Sequence, residues 1–223
     1  MTLRRLPLVL LLALLSSGML AAADQTMQLA DGASVKLIFF EPQHKTSPPP
    51  LAIFIAGSSN NESKTEAYFW LGSQFAKRGW AIAAPISPDG ELFSVGDSST
   101  LPQIIEHLHA TQSLQDSKPL LVGISSGGTE AMAISFLNPS AYRGVVAIPG
   151  RIKPDTSIDE LDSLPFYIRI GEKDDFRWNR MLESISQRLL TAGAIVDAEI
   201  VEDARHISQP DWESLEAWMG TLK

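Results

Sequence analysis

A serine flanked by glycines is the residue of this chain whose surroundings most clearly indicate chemistry. Ser125 has Gly123 two residues before it and Gly127 two residues after it, and a short apolar run, 120–122, leads into this motif. A helical pattern follows. A serine on a tight strand-to-helix turn holds its hydroxyl clear of the backbone, and glycine crowds the flanking positions of such a turn least. The spacing therefore predicts that Ser125 is a nucleophile.

A serine hydroxyl is a weak nucleophile at neutral pH, so it needs a base that can take its proton. The chain contains four histidines. His107 and His109 fall inside a predicted helix upstream of the serine, and His44 lies in a proline-rich loop. His206 alone follows a predicted strand downstream of the serine, 195–201. This position favours His206 as the base over its alternative role as an exposed loop histidine.

A carboxylate is then needed to orient the base, and three candidates follow the predicted strand 166–170. They are Glu172, Asp174 and Asp175. We favour Asp174, because its spacing from the glycine at position 171 clears the strand end and turns the carboxylate back toward the sheet edge. Asp175 is the second choice and Glu172 the third. At least two of the three belong to a solvated acidic turn.

The oxyanion formed during attack on a carbonyl needs two fixed N–H donors. The backbone amide of Ser126 is the first candidate, because it directly follows the nucleophile at the start of a helix. The second donor is expected in the loop after the apolar strand 51–56, where Ser58 is the better candidate. An ordinary glycine-serine turn is an equal alternative for that loop.

The elements that must position these residues alternate along the chain. A hairpin is predicted from two short strands, 27–29 and 35–40, around a turn at Asp31-Gly32. Further strands are predicted at 51–56, 80–84, 119–122, 144–148, 166–170 and 195–201, separated by helices at 66–77, 102–114, 129–137, 179–191 and 211–222. Such alternation predicts an α/β fold with a mainly parallel, twisted sheet and helices on both faces.

Composition narrows the possible partners. The 223 residues carry a net charge of −8, which argues against nucleic acid and anionic membranes as partners. The chain has no cysteine, so disulfides and thiolate metal sites are excluded. No His-x-x-His or His-Glu-x-x-His pattern is present, and the acidic residues form no evident ligand cluster. We therefore expect neither a metal nor another cofactor.

The N-terminus has the pattern of a secretory signal peptide. Arg4 and Arg5 precede an apolar run, 6–15, and small residues then lead to an A-x-A site that ends at Ala23. Cleavage there would leave a domain of residues 24–223 and change the net charge from −8 to −10. The alternative is an uncleaved membrane anchor, although the apolar run is short for a membrane span. We predict a periplasmic or secreted protein without integral membrane association after cleavage.

Taken together, the serine motif, Asp174 and His206 make the chain resemble the α/β-hydrolase superfamily over residues 35–222. Their order along the chain, serine, acid and then histidine, is the order that this fold uses. The resemblance implies that the serine attacks a carbonyl, the histidine takes its proton, the aspartate holds the imidazole, and an acyl-enzyme forms. One difference is that many members have His-Gly at the oxyanion loop, where this chain has Ala56-Gly57.

The resemblance also bears on the shape of the site. The segment 150–165 between two predicted strands is too short for the helical lid of lipases, so we expect no large lid domain and an open, shallow site. The chain is therefore similar to small lidless esterases and the dienelactone-hydrolase-like branch, although a serine stands where dienelactone hydrolases carry a cysteine. Phe93, Phe176 and Trp178 are the candidate pocket walls, and loop packing is their equal alternative.

These expectations define a function hypothesis. The chain is predicted to be a serine hydrolase that cleaves small-molecule carboxylic esters without a cofactor. Thioesters, polyesters and amides need the same chemistry and remain alternatives as substrates. A non-catalytic protein that uses the fold for binding is the alternative from another functional class.

Overall fold

The computed structural model describes residues 23–42, 47–57, 70–86 and 93–222. Apart from Ala23, the predicted signal peptide lies outside these residues. The strands are β1 (Ala23–Gln28), β2 (Ser34–Phe40), β3 (Leu51–Ile55), β4 (Ala81–Ile86), β5 (Leu120–Gly123), β6 (Gly144–Ala147), β7 (Pro165–Gly171) and β8 (Ile195–Val201). The α-helices of this part of the chain are α1 (Trp70–Lys77), α2 (Leu101–Thr111), α3 (Ser126–Leu137), α4 (Leu182–Thr191) and α5 (Trp212–Met219).

The eight strands form one sheet in the order β1-β2-β4-β3-β5-β6-β7-β8. β1 pairs with β2, and β2 with β4, in antiparallel register. All pairs from β4 through β3 to β8 are parallel. The predicted mainly parallel sheet with an edge hairpin is therefore confirmed. The carboxyl ends of β5, β7 and β8 consequently lie along one edge of the sheet, which is the edge that positions the candidate residues.

The core consists of two apolar layers, one on each face of the sheet. Alternate side chains of the buried strand β3 enter different layers: Ile53 lies in one and Phe54 in the other. Helices α2, α3 and α4 contribute buried residues to the first layer, and α1 and α5 contribute to the second. Burial on both faces explains why the central strands are continuously apolar.

Several element boundaries differ by a few residues from those predicted, and two of these differences have a clear physical cause. β4 continues through Pro85 to Ile86, although we expected it to end before the proline. Proline has no amide hydrogen to donate to a neighbouring strand. It is tolerated at position 85 because the pairing of β4 with β3 ends at Ala83, so no hydrogen bond to β3 is lost there. Helix α3 begins at Ser126 and not at 129. Its first residues are serine and glycine, which are weak helix formers and conceal the start.

The segment 148–164 between β6 and β7 contains no helix, and it lies entirely within the described part of the chain. This agrees with the expected absence of a lid at this point. Across the described ranges, no helix combines the length and the apolar character needed to cross a bilayer.

Candidate active site

Ser125 occupies a strained turn between β5 and α3. Its backbone has φ 58° and ψ −124°, a combination that a residue with a side chain rarely adopts. Its carbonyl oxygen accepts a hydrogen bond from the amide of Thr129, at 3.1 Å, which anchors the turn to the first turn of α3. Strain of this kind persists only where the surrounding structure enforces it, and it concentrates at functional sites.

The two glycines of the motif are required by close backbone contacts. A Cβ atom at Gly123 would lie 2.3 Å from the carbonyl oxygen of Gly127. A Cβ atom at Gly127 would lie 2.1 Å from the carbonyl oxygen of Ile55 on the neighbouring strand β3. Neither position has room for a side chain. The glycines thus allow α3 to begin directly against the sheet, which sets the position of the serine hydroxyl.

A continuous hydrogen-bonded chain links the three predicted residues. Ser125 Oγ lies 2.7 Å from His206 Nε2. On the other side of the imidazole, His206 Nδ1 lies 2.8 Å from Asp174 Oδ2. The histidine is 7% exposed and the Asp174 side chain is fully buried. The structure therefore brings together, at one sheet edge, a hydroxyl from the end of β5 and two groups from the loops after β7 and β8.

The carboxylate of Asp174 is held by more than the imidazole. Its Oδ1 accepts the backbone amides of Phe176, at 2.7 Å, and of Trp178, at 3.5 Å. By contrast, Glu172 accepts the backbone amide of Asp203 at 3.0 Å, away from the imidazole, and Asp175 is exposed. Among the three candidate acids, Asp174 alone contacts His206.

Two of the three predicted pocket aromatics flank the imidazole. The ring centre of Phe176 lies 4.6 Å from that of His206, and the ring centre of Trp178 lies 4.9 Å from it, both in edge-on geometry. Phe176 is 67% exposed, so its ring borders open space beside the histidine. These two residues can contact a molecule bound at Ser125.

Phe93 corrects our expectation for the third aromatic. Its ring is 3% exposed and belongs to the apolar layer that also contains residues of α2 and α3. Burial of a large aromatic side chain stabilises the fold, and here it packs the loop against the core. The ring therefore offers almost no surface to a substrate.

The predicted oxyanion donors are partly described. Ser126 is the first residue of α3, where the helix dipole places partial positive charge. Ser58 lies outside the described residues. Gly57, which precedes it, lies beside the turn: a Cβ atom there would lie 3.1 Å from the Cβ of Ser125. The loop that leads into Ser58 therefore starts next to the nucleophile.

The loop after β6 contributes a residue that the sequence analysis missed. The guanidinium carbon of Arg151 lies 5.3 Å from the ring centre of Trp178, beside the candidate site. No periodic pattern or motif marks this arginine, because its proximity to Trp178 depends on how two loops from different strands meet. Over the part of the chain that the structure describes, no group of three or more histidine, aspartate and glutamate side chains could hold a metal ion.

Comparisons with known proteins agree with this architecture. No family model and no curated protein matches the sequence. A solved structure from Klebsiella pneumoniae subsp. pneumoniae, assigned as a dienelactone hydrolase, is 17% identical, with a TM-score of 0.72 over 92% of this chain and 100% of that chain. The Bacillus cereus carboxylesterase is 16% identical, with a TM-score of 0.66 over 83% of this chain and 93% of that one. The chain has the α/β-hydrolase fold.

A thermostable esterase shares the α/β-hydrolase fold as well, with 14% identity and a TM-score of 0.69. The present chain is the smaller of the two: the match covers 91% of it but 63% of that esterase. In the α/β-hydrolase fold, a nucleophile stands on the strand-to-helix turn, and the acid and the histidine follow it along the chain. Ser125, Asp174 and His206 occur in that order and at those places.

Proposed function

We propose that this protein is a serine hydrolase that cleaves carboxylic esters through an acyl-enzyme intermediate. The observation that carries the proposal is the unbroken chain of hydrogen bonds from Ser125 through His206 to Asp174. A hydroxyl, an imidazole and a buried carboxylate in this order form the standard arrangement for activating a serine. The strained backbone at Ser125 supports the same proposal, because it exposes the hydroxyl at the sheet edge.

The reaction begins when Ser125 Oγ attacks the ester carbonyl carbon and His206 Nε2 takes the hydroxyl proton. Asp174 Oδ2 accepts a hydrogen bond from Nδ1–H of the imidazole, which fixes the tautomer and stabilises the imidazolium. Collapse of the tetrahedral intermediate breaks the bond to the alcohol, which leaves with the proton from His206. A water molecule then attacks the acyl-enzyme with His206 as base, and the carboxylic acid leaves.

The negative charge on the substrate oxygen needs donors that are in place before the reaction. In the proposal, the backbone amide of Ser126 supplies one, assisted by the positive end of the α3 dipole. The second donor is the backbone of Ser58. This assignment is supported by the position of Gly57 against the serine turn.

The proposal is tested by replacing the nucleophile. We expect Ser125→Ala to lower kcat/KM for a short 4-nitrophenyl ester at least about 10⁴-fold, because it removes the hydroxyl that is paired with the base. Ser126→Ala is the matched control. It removes the neighbouring hydroxyl but keeps the backbone amide that the proposal uses, so its activity should stay within about tenfold of wild type. Comparable activity in Ser125→Ala and the wild type would contradict the proposal.

Covalent labelling separates the proposal from the non-catalytic alternative. A fluorophosphonate probe reacts with an activated serine, so mass spectrometry of the labelled protein should find the adduct on the peptide that contains Ser125. His206→Ala should prevent labelling, because the hydroxyl then lacks its base. A wild-type protein that remains unlabelled would favour the binding protein over the enzyme.

We further propose that the protein is exported to the periplasm or secreted. The charged, apolar and small-residue regions of residues 1–23 support this. The test is to express the full chain in a bacterium and determine the N-terminus of the product in each cell fraction. An exported protein that starts at Asp24 is expected, and an intact N-terminus in the cytoplasm would contradict export.

A further inference from the structure

A half-buried cation lies next to the aromatic residues that flank the imidazole. The guanidinium carbon of Arg151 is 5.3 Å from the ring centre of Trp178, and that ring is 4.9 Å from the ring of His206. The guanidinium of Arg151 and the imidazole of His206 therefore lie against the same aromatic ring, that of Trp178. A substrate held at Ser125 that extends past Trp178 would meet this charge.

The backbone of Arg151 is fixed to the helix that begins at the nucleophile. Its amide donates to Thr129 Oγ1 at 3.2 Å, and Thr129 is 4% exposed on the first turn of α3. Two residues further on, Lys153 Nζ lies 2.6 Å from Glu130 Oε1, and Glu130 is buried on the same helix. These contacts fix the backbone on either side of Arg151, and the Trp178 ring packs against its guanidinium. An arginine that is held in this way loses less freedom when a ligand binds, which lowers the ordering cost of binding.

Three other arginines among the described residues lie over an aromatic ring, and each has a partner inside the protein. Arg143, over Trp80, donates from Nη2 to the carbonyl oxygen of Leu222 at 3.1 Å. Arg78 and Arg169 each lie over a ring and also pair with a carboxylate, Glu216 and Asp197 respectively. Within residues 23–42, 47–57, 70–86 and 93–222, no carboxylate lies within ion-pair distance of Arg151. A guanidinium forms its strongest contacts with a carboxylate, through two parallel hydrogen bonds. The aromatic face of Trp178 leaves those N–H donors available.

We propose that Arg151 is a specificity residue that binds a carboxylate on the substrate, so that this site prefers esters that carry a negative charge beyond the scissile bond. The inference rests on the proposed function. The chain as a whole carries a net charge of −8, which repels anionic substrates. A preference for a negatively charged ester would therefore have to come from a local positive group such as Arg151.

The test compares two esters of equal acyl length, 4-nitrophenyl hexanoate and mono-4-nitrophenyl adipate. The second carries a terminal carboxylate and the first does not. For the wild type, we expect kcat/KM for the adipate ester to exceed that for the hexanoate ester. Arg151→Gln should lower the ratio of the two values by about tenfold or more, the effect of losing a charged hydrogen bond. Arg151→Lys, which keeps the charge without the paired donors, should retain part of the preference.

Arg180→Gln is the matched control, because it removes an exposed arginine from the short 3-10 helix that contains Trp178, and this arginine has no aromatic ring contact among the described residues. This variant should leave the ratio unchanged. Fluorophosphonate labelling of Ser125 in Arg151→Gln shows whether the site is still assembled. If a labelled Arg151→Gln protein keeps the wild-type ratio, or if the wild type has no preference, the inference is wrong while ester hydrolysis stands. If the wild type cleaves neither ester and is not labelled, the proposed function itself fails.

Discussion

At the scale of single residues, the environment of Asp174 explains why one of three neighbouring acids faces the imidazole. Its carboxylate accepts hydrogen bonds from two backbone amides of the following loop and from Nδ1–H of His206. Such a network fixes the orientation of both oxygens. Asp175, one residue further, is exposed and has no comparable set of donors among the described residues.

We therefore predict different outcomes for two amide substitutions that differ by one position. Asp174→Asn should lower kcat for a 4-nitrophenyl ester by about 10³- to 10⁴-fold, because an amide no longer fixes the productive tautomer of His206 or stabilises its charged form. Asp175→Asn should keep wild-type kcat within about twofold. The measurement is steady-state kinetics on both variants, with circular dichroism as the check on folding. A larger loss in Asp175→Asn would reverse the assignment.

Individual residues could be predicted from the sequence where local geometry constrains them. The glycine spacing around Ser125 reflects contacts within a few residues, and the order of serine, acid and histidine follows from the parallel sheet. Phe93 and Arg151 could not be placed in the same way. One is buried by packing against helices from elsewhere in the chain, and the other meets Trp178 across two loops. Such contacts leave no pattern in the sequence.

At the scale of elements, the junction of β5 with α3 depends on the absence of side chains at its glycines. We predict that Gly127→Ala destabilises the fold by about 2 kcal/mol or more and abolishes hydrolysis. Its Cβ would lie 2.1 Å and 2.4 Å from two backbone carbonyl oxygens of β3 and the residue after it, which cannot yield without moving the strand. Denaturant unfolding monitored by tryptophan fluorescence measures the change.

Gly96→Ala is the control for the substitution at Gly127. Gly96 is exposed, and the nearest atom to an added Cβ is the Ser94 hydroxyl oxygen, at 3.3 Å. A shift of a few tenths of an ångström relieves this contact, and at most it weakens the hydrogen bond that the Ser94 hydroxyl accepts from the Gly96 amide. The free energy of unfolding should therefore change by less than about 1 kcal/mol. Equal destabilisation of the two variants would mean that crowding at the junction is not what requires Gly127.

Element types were predictable because buried parallel strands and amphipathic helices have distinct apolar patterns. The first and last residues of the elements were harder to predict, because they depend on the strands and loops that pack beside them. β4 extends past Ala84 because β2 pairs with it as far as Ile86. Helix α3 starts three residues before its apolar pattern begins, because the turn at Ser125 and close contacts with β3 and with Pro149, after β6, determine its first residues.

At the scale of the whole molecule, one buried tyrosine makes stability depend on pH in the alkaline range. Burial raises the pKa of Tyr142 from 10.0 to about 12, because the phenolate would lose its hydration. The folded-state pKa is raised, so the contribution of this group is fully present below pH 10 and is lost as the pH rises toward 12. The free energy of unfolding should fall over this range by up to about 1.4 kcal/mol per pH unit from this residue.

Tyr142→Phe tests this dependence because phenylalanine does not ionise. The variant should lose less stability than the wild type between pH 9.5 and 11.5, as measured by urea unfolding at each pH. Other groups titrate in the same range, but they affect both proteins alike and cancel in the difference. Identical pH dependence in the two proteins would show that Tyr142 does not titrate with a raised pKa.

The position of β8 has a consequence for how the molecule responds to heat. It is the last strand in the order of the sheet, most of its side chains are at least partly exposed, and His206 lies in the segment that follows it. The central strands, by contrast, are sealed between two layers. On warming, β8 should therefore separate from the sheet before the central strands do. Its separation would move His206 away from Ser125. Inactivation would set in below the melting temperature, and would reverse on cooling for as long as the interior stays intact.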